Sequence, residues 1–418
     1  MKKKIKYGVV VPLIGGMTIA NENATGEKPT FILSYEAFAA NDKHCVNRYN
    51  ETPYVLADGD TNEIMPTVVN EETGEVEYES AFREDLFEEV DFVSAVCPCA
   101  GLSMLNSNNN KETASARGSD AVQNDWMYKT ARLVLEKVSP KVLWGENAPG
   151  LYTNMGAGVV EKLRAIGKEY GYSFSMIKTD TFLHGIPQHR QRTFYFFWKG
   201  SDAPILNYYE KEAPMLADYL DEIPEGASYM DKPFMADLTD NNWVKFIKSE
   251  GFSLEALAED PKLNTVFQWI HAKGLRDKAI EFGEKIGDEG MVKFLNHTKK
   301  KEAENKGWWD GTPLAFKRAT NSIIAKNSAI IRPGTERGIT LREAMWLMGL
   351  PHDFEMMGNV NNHICQNVPV KTATDWTSEV VRFLNGEITE FGGDFVKQNN
   401  ISKKIDFAEA SFKTAVLF

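Results

Sequence analysis

Three segments carry side chains able to do covalent and acid–base chemistry. In Val96-Cys97-Pro98-Cys99-Ala100-Gly101-Leu102-Ser103, Pro98 stiffens a turn after an apolar run and Cys99 offers a thiol. An ordinary cysteine, with a pKa of about 8.5, is only a few per cent thiolate at neutral pH but is strongly nucleophilic in that form. The same turn would equally bury a structural cysteine. Metal binding by Cys97 and Cys99 lacks support, because Cys45 and Cys365 stand in segments without ligand spacing. In Leu143-Trp144-Gly145-Glu146-Asn147, a glutamate among apolar neighbours should resist ionisation, which suits a hydrogen-bond donor or acid. In Gly185-Ile186-Pro187-Gln188-His189-Arg190-Gln191-Arg192, strand alternation would set Gln188, Arg190 and Arg192 on one face. That face reads as a polar grip on a ligand or as a basic edge strand that resists aggregation. Together, thiol, acid and paired arginines suggest attack on an electron-poor ring whose polar edge is held.

A second group reads as a nucleoside site. Leu13-Ile14-Gly15-Gly16 ends the first apolar run, and two glycines at such a turn let backbone approach a ligand closely. Glu36 closes the second run 20 residues after Gly16, where a carboxylate can accept both ribose hydroxyls. Asp60, in Ala57-Asp58-Gly59-Asp60, closes the third and can accept an adenine amino hydrogen. Each acid alone reads as well as a helix cap or a surface charge. In register on successive strands, they point to an adenosine-containing cofactor.

The elements that must position these groups alternate. Apolar, β-branched runs recur at 5–13, 31–35, 91–96, 141–144 and 193–198, and between them 121–138 and 157–170 have helical spacing. This is the pattern of an α/β protein with a doubly wound, mostly parallel sheet, whose chemistry sits in the loops after the strand carboxyl ends. After Lys199 an acidic stretch runs to about 240, followed by short amphipathic helices to about 305. We read 201–326 as an inserted second domain, with 1–200 and 327–418 forming the first. The chain resumes with a strand (SAIIRP), a helix (TLREAMWLMG) and another helix (KTATDWTSEVVRFLNG). The Asn/Ser/Gly-rich segment 107–120 reads as a mobile loop.

At 418 residues the chain exceeds what one core usually organises, and 43% hydrophobic with 25% charged residues describes an ordinary globular protein. No apolar run approaches the ~20 residues of a membrane span. MKKKIKYGVVVPLIGG contains Pro12 and lacks a cleavage site of small residues, so it reads as a first strand and not a signal peptide. Four cysteines cannot staple a chain this long, and free thiols point to a reducing cytoplasm. A net charge of −12 counts against a nucleic-acid partner. Its distribution counts the other way: residues 201–260 carry 14 acidic and 4 basic side chains, residues 291–342 carry 4 and 11. Lys299, Lys300 and Lys301 therefore belong either to a local phosphate-binding face or to a solvated surface.

These segments resemble the DNA (cytosine-5) methyltransferases. Pro98-Cys99 is similar to that family's catalytic loop, Glu146-Asn147 to its acid motif and Gln188-x-Arg190-x-Arg192 to its base-gripping strand. Arg337-Gly338-Ile339-Thr340-Leu341-Arg342-Glu343-Ala344 with Gly349-Leu350-Pro351-His352-Asp353-Phe354 is similar to the helix supporting its recognition domain, and Val368-Pro369-Val370 to its closing motif. The segments stand in the family's order over roughly 8–200 and 327–385. Two departures stand out: Leu13 replaces a glycine of the first motif, and Cys365-Gln366-Asn367 replaces the Gly-Asn that precedes Val-Pro.

The resemblance implies a Rossmann-like methyltransferase fold binding S-adenosyl-L-methionine through Gly15, Gly16, Glu36, Asp60, Pro98 and Gln366. It implies double-stranded DNA as partner, no membrane, no metal and a monomer. Cys99 would add to carbon 6 of a flipped-out cytosine and Glu146 would hold ring nitrogen 3 and the amine. Arg192 would contact the carbonyl oxygen, and Arg190 would support the thiol and its loop. Residues 101–120, including Ser103 and Arg117, would close over DNA, and Gln188, Lys299, Lys300, Lys301 and Arg337 would contact it. The alternatives are an RNA cytosine-5 methyltransferase and a catalytically silent DNA-binding relative.

Overall fold

The computed structural model describes residues 4–407 except 66, 70–75, 80–84, 104–117, 235–239, 255–264, 307–313, 316–318, 324–329, 336 and 358–360. Ten strands form one sheet: β1 (Tyr7–Val10), β2 (Phe31–Tyr35), β3 (Tyr54–Ala57), β4 (Ile64–Met65), β5 (Phe92–Val96), β6 (Val142–Asn147), β7 (Tyr172–Asp180), β8 (Gln191–Lys199), β9 (Phe395–Asn399) and β10 (Lys404–Phe407). Their order is β10-β9-β7-β8-β6-β5-β1-β2-β3-β4. The strands from β6 to β3 are mutually parallel. β1 is central: the chain leaves it to build β2 and β3 on one side, then returns to place β5 and β6 on the other. A reversal of this kind opens a crevice at the strand carboxyl ends.

β8 decides what faces that crevice. It runs antiparallel to both β6 and β7, with Thr193 opposite Asn147, so its amino end lies at the edge where the parallel strands end. A residue just inside the start of β8 therefore meets residues at the end of β6. That is why Arg192 and Glu146, 46 positions apart in sequence, can share a site.

The strands read as near-continuous apolar runs because both faces of the sheet are covered. On one face lie α1 (Gly16–Thr25) and the long helix Val370–Leu384, joined to Tyr7, Val9, Trp144 and Phe196 through Met17, Ile19, Trp376 and Val380. On the other, Asp125–Leu133 and Ala157–Glu169 contribute Met127, Leu133, Leu163 and Ile166 against Val10, Leu33, Val93 and Leu143.

A separate core gathers four helices, Asn242–Ser249, Val266–Ala272, Arg276–Ile286 and Glu289–Ala303, around Phe246, Phe267, Trp269 and Leu295. The first of these helices begins at Asn242. Ala203, Leu206, Leu216, Tyr219 and Phe234 pack into the core of the main sheet, while the acidic side chains that suggested a new domain face outward. SAIIRP forms a strand as expected, Ile330–Ile331, which pairs with Leu314–Ala315 in a separate two-stranded ribbon. The helix Leu341–Leu347 forms where TLREAMWLMG predicts it, with Thr340 and Glu343 making a reciprocal capping box. Among the described residues, no helix is long and apolar enough to cross a membrane.

Candidate active site

Cys99 stands at the carboxyl end of β5, where the chain turns into a single helical turn at Ala100–Leu102, and Leu102 N–H bonds back to Cys99 O at 3.1 Å. The loop after β6 presses on this turn: a Cβ on Gly150 would fall 2.2 Å from Leu102 O, so only glycine permits the approach. The thiol is half-buried. Burial and the charge of Glu146 push its pKa up, while the guanidinium groups of Arg192 and Arg190 pull it down.

Glu146 is the penultimate residue of β6 and only 4% exposed. Arg192 Nε lies 2.7 Å from its Oε1. The contact is an ion pair outside good hydrogen-bond alignment, and it leaves Oε1 buried without a directed donor. Burial raises the carboxyl pKa and the two arginines lower it, the burial prevailing. Beside it, Asn147 is held by Ala148 N–H on Oδ1 and by Met127 Sδ against Nδ2.

Gln188 and Arg190 are buried, and Arg192 is largely so. Gln188 donates through Nε2 to Leu347 O at 2.9 Å. It therefore cannot read DNA from this position, which corrects the expectation; the short pairing of Gln188–His189 with Thr320–Asn321 turns it inward. Arg190 is 1% exposed and donates to Ile323 O, Cys365 O and Asn367 O at 3.2, 2.7 and 3.2 Å. Burial, then the neighbouring Arg192, lower its pKa to about 9. Arg190 thus ties β8 to the segment before Val368-Pro369, and only Arg192 of the pair faces Glu146.

At the other end of the crevice, Gly15 takes φ +100° and Gly16 opens α1. Gly16 N–H donates to Asn367 Oδ1 at 3.0 Å, and a Cβ on Gly16 would sit 2.2 Å from that oxygen. The side chain that meets the glycine turn is therefore Asn367, while the expected Gln366 is exposed. The signal lay in the sequence, since Asn367 directly precedes Val368-Pro369 as the family's asparagine does. Leu13, at the missing glycine, takes φ +52°. Glu36 and Asp60 are exposed at the ends of β2 and β3, with Asp60 3.5 Å from Lys129 Nζ. Phe38 and Trp126 lie beside them, ring centroids 4.7 Å apart.

These features fit an adenosyl cofactor. Asn367 Nδ2 is a buried donor beside the glycine turn with no partner among the described residues, the two carboxylates are open to a ligand, and the aromatic pair offers an apolar wall. Pro98, half-buried, stands between Cys97 and Cys99 on the same edge. Among the described residues no cluster of three or more His, Cys, Asp or Glu is placed to hold a metal ion.

The expected DNA contacts divide. Arg337 forks onto Glu343 with two bonds of 2.8 Å, and Arg332 Nε reaches the same carboxylate at 2.9 Å. Arg337 therefore braces the start of the helix Leu341–Leu347 while remaining exposed. Lys299 is exposed but pairs with Asp277 at 2.8 Å, Lys300 is exposed and Lys301 half-buried. Ser103 is partly buried, and Arg117 with most of the expected lid lies outside the described residues. Sequence reasoning missed Arg342, which is fully buried and donates to Ser228 O, Pro351 O and Phe354 O, fastening that helix to its surroundings.

With this geometry established, comparison with known proteins places the chain. A family model described as C-5 cytosine-specific DNA methylase matches residues 13–381. The chain belongs to that family. It is 32% identical over 117 residues to the type II methyltransferase M.AgeI of Thalassovita gelatinovora, a match covering 27% of this chain and 25% of that protein. The chain thus spans about a quarter of the length of this curated relative. Among solved structures it is similar to a DNA modification methyltransferase encoded within an E. coli prophage (TM-score 0.53, 15% identity, 91% of this chain and 99% of the other). It is also similar to the Entamoeba histolytica methyltransferase EhMeth (TM-score 0.51, 13% identity, 92% and 99%). At these identities the structural likeness concerns the fold.

Proposed function

We propose that this protein transfers a methyl group from S-adenosyl-L-methionine to carbon 5 of a cytosine flipped out of duplex DNA. The observation that carries the reading is the meeting of Cys99, Glu146 and Arg192 at the switch-point edge, with Arg192 Nε 2.7 Å from Glu146 Oε1. When bound, the cofactor supplies an electrophilic methyl group on a sulfonium. Gly15, Gly16, Glu36, Asp60 and Asn367 would hold it.

The residues of the chain do the rest. Cys99, as thiolate, adds to carbon 6 of the ring, and the displaced electron pair makes carbon 5 nucleophilic. A buried carboxyl resists ionisation, so Glu146 can share a proton with ring nitrogen 3 and stabilise the added electron pair. Arg192 would hold the base's carbonyl oxygen. After methylation, loss of the carbon 5 proton to a base restores the double bond and expels Cys99 as thiolate. Extruding the base costs a few kcal/mol, which contacts along the backbone must offset; Lys300 and Lys301 are the candidates outside the main sheet.

The test is incubation with methyl-labelled S-adenosylmethionine and, separately, duplex DNA and RNA, followed by DNA containing 5-fluorocytosine, from which no carbon 5 proton can leave. Label in DNA alone, with a covalent adduct that disappears in Cys99→Ser, is the expected result. Label in RNA alone, or tight DNA binding without transfer, overturns it.

A further inference from the structure

The glycine turn after β1 contains two strained residues, Val11 at φ +48° and Leu13 at φ +52°. In the left-handed region a Cβ crowds the following carbonyl oxygen, which is why this position suits glycine. Some neighbouring group must hold Leu13 there. Its N–H donates to Asp42 Oδ1 at 3.1 Å, and Asp42 Oδ2 accepts from Tyr54 OH at 3.2 Å. Asp42 is fully buried in the helix Ala39–Arg48, and no lysine or arginine among the described residues pairs with it. A buried carboxyl without a counter-ion is destabilising, so its presence calls for a local reason. The same helix backs the rest of the turn: Cys45 Sγ would lie 3.2 Å from a Cβ on Gly15 and is bonded to Thr18 Oγ1.

We propose that Asp42 is a positioning residue for the cofactor turn. By gripping the Leu13 amide it holds, in a chain lacking the glycine, the backbone path that glycine would adopt unaided. Asp42 touches no reacting atom in this proposal and acts through Leu13. The inference rests on the reading that this turn binds S-adenosylmethionine.

The test is a double-substitution cycle of Asp42→Ala and Leu13→Gly on the full chain, with Asp42→Asn as the conservative variant. Two readouts are used: calorimetric affinity for S-adenosylmethionine and hydrogen exchange at the residue 13 amide. Loss of one hydrogen bond of this kind predicts that Asp42→Ala weakens binding about tenfold, raises KM with kcat little changed, and speeds exchange by a similar factor. Asp42→Asn, which keeps an oxygen for the amide, should recover most of both. In the Leu13→Gly background, the loss caused by Asp42→Ala should shrink to about twofold, because the left-handed φ no longer needs a clamp. An equal loss in both backgrounds, or an exchange rate indifferent to residue 42, overturns the proposal. A wild-type chain that binds no S-adenosylmethionine overturns the functional reading instead, and exchange at residue 13 still decides the role of Asp42.

Discussion

Arg192 reaches Glu146 across the antiparallel seam between β8 and β6, Nε to Oε1 at 2.7 Å, while Arg190, two residues earlier, directs both terminal guanidinium nitrogens onto three backbone carbonyls. One arginine is thus free to exchange its partner for a substrate and the other is not. Substitution of Glu146 should separate binding from chemistry. For Glu146→Gln we expect single-turnover methyl transfer to fall by roughly 10²–10⁴, the range for a lost general acid, with DNA affinity retained. A rate within a few-fold of wild type would remove Glu146 from its role.

Arg190→Lys should act on stability. An ammonium cannot reproduce the planar fork that reaches Ile323 O, Cys365 O and Asn367 O, and a buried carbonyl left unpaired costs about 1–3 kcal/mol. A drop of that order in urea unfolding is expected, together with weaker cofactor binding through Asn367. Unchanged unfolding would contradict the arrangement.

Gly16→Ala should damage the turn directly. The added Cβ meets Asn367 Oδ1 at 2.2 Å and Val368 O at 2.4 Å, and the second is backbone that cannot swing away. Calorimetry should show cofactor affinity lost, with overpacking lowering stability by about 1–3 kcal/mol. Normal affinity would mean that the segment before Val368 can retreat.

Asp42 gives the protein a pH dependence. Burial raises its pKa to about 7 from the usual 3.8, so between these values the folded chain holds a proton that the unfolded chain has lost. Its contribution is fully present below pH 3.8 and is lost as pH rises through about 7. Asp42→Asn should flatten the fall in unfolding free energy across this window. An identical slope in both proteins would show that Asp42 ionises normally.

Substitutions at Lys300 and Lys301 should weaken DNA binding at every sequence alike and reduce its salt slope by about one for each phosphate no longer neutralised. Arg337→Ala, by contrast, removes two of the bonds to Glu343, which keeps Arg332, and should lower stability while leaving the salt slope unchanged. Fluorescence titrations at several salt concentrations distinguish the two.

The sheet was legible because it rests on short-range rules. Apolar runs at 91–96 and 141–144 had to be strands, and Cys99 and Glu146 stand at their ends. What escaped depends on distant partners. Alternation could not say that Leu347 covers Gln188, and a charge count could not show that Arg337 is already engaged by Glu343. After residue 201 composition records the acidic outer face, whereas Tyr219 and Phe234 pack inward, which a charge count does not register. Leu13 was visible as a departure, but its answer, Asp42, lay on another element.

The bond from Gly16 to Asn367 joins residues 351 positions apart. During synthesis, at roughly 5–20 residues per second, the amino-terminal turn is made long before its partner exists. The first strand, the turn and α1 must wait through most of translation before the contact that finishes them can form. A nascent chain truncated before residue 367 would therefore already carry Cys99, Glu146 and Arg192 while its glycine turn still lacked Asn367, the partner that closes it.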